Sequence, residues 1–153
     1  MFKLPNSHRI IPSMSKIIVI LVISIFINAN AKAKENLKFY NEGKINFEKK
    51  LYEKAKINFE KNIVRNPKDI NSYLYLSKIY KFKKQNDEFE KNLNTVLLLE
   101  PKNEEALYML VTKKLADGDF KLAQKNFEIF KQSCKKLCGK KIELSNLIKK
   151  SKI

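Results

Sequence analysis

The apolar residues in the middle of the chain recur at three- and four-residue steps, the spacing that places side chains on one face of a helix. Two such series follow each other between positions 73 and 97, with polar and charged residues between them. Their members are Tyr73, Leu76 and Tyr80, and then Phe89, Leu93, Val96 and Leu97. The pattern predicts two amphipathic helices joined by a short turn.

The same pattern returns after 34 residues. Pro67 and Pro101 are separated by this interval, and Phe59 and Leu93 lie eight residues before them. A third copy follows, with Lys135 where the next proline is due. Proline cannot continue a helix but fits the first turn of the next one, so each proline marks the end of a helix pair. A fixed period of this length predicts stacked helix-turn-helix repeats, at about residues 36–69, 70–103 and 104–137.

A further amphipathic stretch begins at Lys140, after the last repeat. Its apolar residues are Ile142, Leu144, Leu147 and Ile148. A helix here would cover the apolar face that the last repeat of a stack leaves open. The sequence therefore predicts an all-α fold: an α-solenoid of about three repeats in residues 34–139, and a capping helix with a basic tail in residues 140–153.

The three copies resemble the tetratricopeptide repeat family. That family places bulky, small and aromatic residues on the first helix, alanine and an aromatic residue on the second, and proline at the end. The matching residues are Phe39, Gly43, Tyr52, Ala55, Phe59 and Pro67 in copy one, Tyr73, Leu76, Ser77, Tyr80, Leu93 and Pro101 in copy two, and Leu107, Leu110, Ala123 and Phe127 in copy three. The resemblance covers about residues 36–135 and implies a non-enzymatic module for protein–protein interaction.

The resemblance also implies a binding surface, because in this family the first helix of each repeat lines a concave groove. By register, the groove residues are Tyr40, Lys44, Phe47, Leu74, Tyr75, Lys78, Lys81, Tyr108 and Thr112. Aromatic and lysine side chains suit an extended or helical partner segment with acidic and apolar residues. The alternative is that the tyrosines pack between repeats and the lysines form a solvated face.

The N-terminal residues have the pattern of an export signal. Lys16 precedes an apolar stretch over residues 17–27, which is long enough for a signal-peptide core but short for a membrane-spanning helix. Ala29, Ala31 and Ala33 then form two A-x-A sites for cleavage. Residues 1–33 are therefore predicted to be a signal peptide, which makes the mature protein periplasmic or secreted. The alternative is an uncleaved N-terminal membrane anchor that leaves the repeats facing the periplasm.

The net charge of +16 comes almost entirely from lysine, with arginine only at positions 9 and 65. Together with the many asparagines and isoleucines, this excess is typical of a coding bias. Lysine lacks the planar fork by which arginine binds phosphate, and export would separate the chain from nucleic acid, so no nucleic-acid partner is expected. A general attraction to anionic surfaces remains. The alternative function is thus a basic envelope protein that binds anionic membranes or polyanions through its net charge.

Cys134 and Cys138 lie where the third repeat meets the predicted cap. In an oxidising compartment an even number of cysteines favours a disulfide, and one at this spacing would fix the angle between the last repeat and the cap. Reduced thiols are the alternative, whereas a redox or metal centre would need a different spacing or further ligands.

Groups suited to catalysis are scarce. The one histidine, His8, lies in the segment that export would remove, so the mature chain could build no Ser-His or Cys-His pair. We therefore expect no catalytic residue, no metal and no cofactor. The expected partner is an envelope protein or peptide held in the groove, and a second copy of the chain is a further alternative.

Overall fold

The computed structural model describes Ile18, Val19, Val22 and residues 38–151. The residues of this part are helical or in turns, and no strand occurs among them. The predicted all-α fold is confirmed. The helices are α1 (helical over residues 38–48), α2 (Tyr52–Arg65), α3 (Ile70–Phe82), α4 (Asn86–Leu99), α5 (Glu104–Ala116), α6 (Phe120–Ser133) and α7 (Lys140–Lys150).

The helix boundaries repeat with the period seen in the sequence. The first helices end at residues 48, 82 and 116, and the second helices begin at 52, 86 and 120. Each helix from α2 to α7 packs against its neighbours along the chain, and α7 also packs against α5. The repeats thus form a solenoid-like array, and α7 takes the place of the next first helix.

The turn inside each repeat has one residue in the left-handed backbone region, again 34 residues apart: Lys50 (φ 59°), Lys84 (φ 57°) and Gly118 (φ 77°). In each turn the backbone N–H of the next residue donates a hydrogen bond to the carbonyl oxygen five residues earlier, at the end of the first helix. The bond from Leu51 N to Asn46 O, at 2.9 Å, is an example. This conformation is easy for glycine and costly for lysine.

The turns between repeats carry the prolines. After Pro67 the Asp69 side chain accepts a hydrogen bond from the backbone N–H of Ser72 and caps α3. Asn103 caps α5 in the same way. The third boundary has no proline, and its next helix begins at Lys140, two residues later than the 34-residue period would place it.

The core consists of two apolar clusters. The first lies among the first two repeats and α5, with Phe59, Ile79 and Leu93 fully buried. The second lies among α5, α6 and α7 around Phe130 and Leu144. The half-buried side chains of Leu97 and Tyr108 pack against both clusters, so the interior is continuous along the array.

A polar group is buried at the first repeat boundary. The Asn62 side chain is 2% exposed. Its amide donates to Asp69 Oδ2 (2.6 Å) and to Ser72 Oγ (2.9 Å), so the buried donors have acceptors. In copy two the corresponding residues are Val96 and Ala106. Both are buried, and their side chains are apolar.

The cap buries a narrower face than its sequence suggests. Leu144 and Ile148, one helical turn apart, are buried against the second cluster. Ile142 is 74% exposed and Leu147 is 41% exposed. Ile142 lies two residues before Leu144, and this spacing directs it to the opposite side of a helix.

The predicted export segment, residues 1–33, lies outside the described residues apart from Ile18, Val19 and Val22. These three are helical and exposed. The repeats and the cap belong to one compact unit that begins at Phe39. None of the helices that the structure describes has the length and apolar character needed to cross a bilayer.

Candidate functional site

The described part of the chain contains a concave surface with a volume of about 1420 Å³. The first helices α3 and α5 form its walls, and the segment from 132 to 140 closes one end. Helix α1 contributes Phe47 to the lining. We call this surface the groove. Its position follows from the repeat, because the first helices lie side by side and leave one face of each uncovered by the second helices.

Five of the nine residues predicted to face the groove line it: Phe47, Leu74, Lys78, Lys81 and Tyr108. Leu74 is buried in its floor, whereas the lysines stand at its walls. The other four predicted residues, Tyr40, Lys44, Tyr75 and Thr112, lie outside the lining. The groove is therefore formed mainly by the second and third repeats.

Tyr75 packs between repeats. Its ring stacks face to face on the buried ring of Phe59, with centroids 4.8 Å apart, and meets the ring of Phe47 edge to face, with centroids 5.1 Å apart. Tyr40 approaches the same rings, with its centroid 6.1 Å from that of Phe59. Burial, with smaller effects from Tyr75 and Asp69, raises the pKa of the Tyr40 phenol. These two tyrosines join α1, α2 and α3 in one aromatic cluster.

Lys44 and Thr112, the other two predicted groove residues that lie outside the lining, have partners close to them in the chain. Lys44 places its ammonium 5.9 Å from the ring centre of Tyr40, within range of a cation–π contact. Thr112 donates its hydroxyl hydrogen bond to the backbone oxygen of Met109 at 2.8 Å, within its own helix. Neither side chain is presented to the groove lining.

The groove is strongly basic. Seven lysines and three glutamates line it, and each of the three glutamates has an internal partner. Lys78 forms a 2.7 Å ion pair with Glu105 across α3 and α5, and its ammonium also lies 5.0 Å from the ring centre of Tyr75. Four further lysines have no ion-pair partner within the part of the chain that the structure describes: Lys81, Lys84, Lys102 and Lys135. The groove can therefore offer several unneutralised cations to a ligand.

The closed end of the groove is held by Glu104. Its carboxylate accepts hydrogen bonds from three consecutive backbone N–H groups, those of Lys135 (2.8 Å), Lys136 (3.0 Å) and Leu137 (2.9 Å). Partial desolvation acts to raise the pKa of Glu104, but these bonds outweigh it and hold the pKa below its usual value. A disulfide joins Cys134 and Cys138 on either side of this segment, with the Cα atoms 5.2 Å apart.

A second polar contact ties α5 to the cap. The Tyr108 hydroxyl donates to Glu143 Oε1 at 2.9 Å, and Lys140 pairs with the same carboxylate at 2.7 Å. The hydrogen bond to Glu143 raises the pKa of Tyr108, and the contact with Lys140 lowers the pKa of Glu143. The Tyr108 ring thus has a fixed orientation at the groove wall.

Several groove residues were missing from the sequence prediction. Phe82 follows Lys78 by one helical turn and is 63% exposed, and Met109 follows Glu105 in the same way on α5. The four-residue spacing from Lys78 could have identified Phe82. Lys135 and Lys136 could not be identified, because their place depends on how the segment folds back onto Glu104.

The part of the chain that the structure describes holds no group of three or more histidine, cysteine or acidic side chains placed to bind a metal ion. Comparison of the sequence with protein-family models and with curated proteins finds no match. The chemistry of the groove is thus the basis for assigning a function.

Proposed function

We propose that the protein is a non-enzymatic binding module of the tetratricopeptide type, an adaptor whose groove holds an acidic and partly apolar segment of a partner protein. The observation that carries the proposal is the composition of the groove: seven lysines against three glutamates, around an apolar floor of Leu74 and Met109. Cations without internal partners attract and orient an acidic segment. The exposed ring of Phe82 provides an apolar contact beside them.

The size of the groove supports a peptide-like ligand. A volume of about 1420 Å³ exceeds that of the pockets that enclose small molecules, which is roughly 300–1,000 Å³. Because three repeats are short, the groove holds one helical or extended segment rather than wrapping a long chain.

Binding can be tested by capture from an envelope extract at physiological salt. The charge-reversed variant Lys81→Glu/Lys102→Glu alters two groove lysines without ion pairs. The matched control Lys91→Glu/Lys125→Glu makes the same change on exposed lysines of α4 and α6 that lie outside the groove. The wild type and the control are expected to retain a defined protein that the groove variant loses.

A photo-crosslinking residue then locates the contact. Placed at Lys81, it should react with the captured protein, whereas at the 81% exposed Leu98 of α4 it should not. Equal loss in both charge variants, or equal crosslinking at both positions, would rule out the groove as the binding surface.

We further propose that the protein acts outside the cytoplasm, after cleavage of its signal segment at Ala31 or Ala33. The signal-like sequence and the Cys134–Cys138 disulfide support this proposal, because disulfides persist in oxidising compartments. The intact mass of the protein isolated from cells tests both features. We expect a chain that begins at Lys32 or Lys34 and has lost two hydrogens. A chain that retains its N-terminal segment would instead support the membrane anchor.

A further inference from the structure

The turns inside the repeats all lie at the same end of the helix pairs, and their charge changes along the array. The first turn reads Lys49-Lys50-Leu51 and the second Lys83-Lys84-Gln85, without an acidic residue in either. The third reads Asp117-Gly118-Asp119. This end of the array is thus basic at the first two repeats and acidic at the third.

Apolar side chains protrude between the basic turns. Phe82, the last residue of α3, is 63% exposed, and Leu51 is 44% exposed. The Phe82 ring stacks on Tyr52 of the neighbouring repeat, with centroids 5.0 Å apart and an angle of 16° between the planes. Phe47 packs against Tyr52 edge to face, with ring centroids 5.6 Å apart. These rings hold Phe82 at the surface instead of letting it fold into the core.

Two of the lysines occupy a backbone conformation that disfavours them. Lys50 and Lys84 have positive φ angles, at the position where the third repeat has Gly118. Glycine would adopt this conformation without strain, as it does in the third repeat. Strain that is retained at exposed positions next to protruding apolar side chains points to a use for the lysines beyond folding.

The nearby acids neutralise this region only in part. Glu53 pairs with Lys83 at 2.6 Å, and Glu48, Asp87 and Glu88 lie on the adjoining helical turns. The turn lysines Lys49, Lys50 and Lys84 have no ion-pair partner within the described residues. A cluster of lysines around exposed aromatic and aliphatic tips is the composition of surfaces that rest at the headgroup level of a bilayer.

We propose that residues 49–52 and 82–84, which we call the basic edge, dock on an anionic phospholipid surface. Phe82 and Leu51 enter the boundary between headgroups and acyl chains, and the lysines contact the phosphates. The basic edge shares Phe82 and Lys84 with the lining of the groove. The acidic third turn stays away from the membrane.

The natural sequence contains no tryptophan, so a single tryptophan reports on its own surroundings. We would place it in the full chain as Phe82→Trp and add vesicles of phosphatidylglycerol and phosphatidylcholine with brominated acyl chains. The expected result is a blue shift and quenching of the emission. The control Phe120→Trp, at the 41% exposed ring beside the acidic turn, should be little affected. Quenching requires contact at the labelled position, so membrane attachment through the N-terminal segment cannot imitate it.

The lysines are tested by adding Lys50→Gly/Lys84→Gly to the Phe82→Trp chain. This change relieves the strained backbone, so the fold is retained, and circular dichroism verifies that. Roughly tenfold more anionic lipid should be needed for half-maximal quenching. Lys68→Gln/Lys125→Gln removes the same charge from exposed positions outside the basic edge and the groove and should have less than about a threefold effect.

Three results would overturn the proposal. The first is an emission of the Phe82→Trp chain that the brominated vesicles do not quench. The second is equal quenching of that chain by phosphatidylcholine alone, or equal quenching of the Phe120→Trp chain. The third is an equal effect of the two lysine pairs on the lipid needed for half-maximal quenching.

Discussion

The ring of Phe59 lies so close to the backbone of Gly43 that a Cβ atom at position 43 would stand 2.7 Å from the ring atom Cε1. The ring has no room to withdraw, because Phe59 is fully buried and stacked on Tyr75 with an interplanar angle of 6°. Glycine therefore allows α1 to approach α2 closely enough to complete the aromatic cluster of the first repeat.

Gly43→Ala is expected to destabilise the fold by up to about 2 kcal/mol. Overpacking of a core costs roughly 1–3 kcal/mol, and the better helix propensity of alanine offsets about 1 kcal/mol of it. Urea unfolding followed by circular dichroism measures the change. Gly139→Ala is the matched control, because no atom lies within 4 Å of its Cβ position and its φ is −58°. If both variants unfold at the same urea concentration, the contact with Phe59 is not what requires glycine.

The polar group buried at the first repeat boundary gives a second prediction. Asn62→Val and Ser72→Ala should each destabilise the protein by about 1–3 kcal/mol, because each breaks the Asn62–Ser72 hydrogen bond inside a buried site. The double variant reproduces Val96 and Ala106 of copy two and should cost less than the sum of the single changes, by about 1 kcal/mol. A double-mutant cycle in urea measures this coupling. Strictly additive effects would show that the two side chains act independently.

The helix positions could be predicted because the sequence repeats them. A 34-residue period with apolar residues at helical spacing leaves little freedom, and the prolines at 67 and 101 mark where one pair ends and the next begins. The third boundary was less predictable. Without a proline, the chain there is positioned by contacts of Glu104 with residues 31 to 33 positions later, and such contacts leave no local pattern.

The groove was harder to predict than the fold. Tyr75 and Tyr108 both lie on first helices, yet Tyr75 packs between repeats and Tyr108 lines the groove. Residue type does not separate these two environments, since aromatic residues suit both a core and a binding surface. The assignment depends on the rotation of α3, which is set by the stacking of Tyr75 on Phe59.

The strained turns predict that replacing lysine can stabilise the protein. Lys50→Gly and Lys84→Gly should each raise the free energy of unfolding by about 0.5–1 kcal/mol, because a left-handed residue with a side chain costs roughly 1–2 kcal/mol and the added freedom of glycine in the unfolded chain offsets part of the gain. Thermal unfolding measures both variants. Lys49→Gly removes the same charge at an adjacent residue without a positive φ and should be neutral or destabilising. Equal stabilisation by Lys49→Gly would attribute the gain to reduced positive charge.

The contact of Glu104 with residues 135–137 makes a pH-dependent prediction. Its pKa is lowered in the folded protein, so the carboxylate stabilises the fold at pH values above its usual pKa. That stabilisation is lost as the pH falls through the lowered pKa. Between about pH 5 and pH 3, the melting temperature of the wild type should therefore fall more steeply than that of Glu104→Gln. At pH 7 the variant should be less stable by about 1 kcal/mol, because an amide is a weaker acceptor than a carboxylate.

Hydrogen exchange separates this local contact from a general effect of charge. In Glu104→Gln the amides of Lys135, Lys136 and Leu137 should exchange faster at pH 7, because they donate to the carboxylate in the wild type. Glu100→Gln removes an equal charge from the preceding turn without touching this segment and should leave their exchange unchanged. Since Lys135, Lys136 and Leu137 also line the groove, faster exchange in the Glu104 variant should accompany weaker partner capture. Unchanged exchange in the Glu104 variant would mean that the segment is held by the disulfide alone.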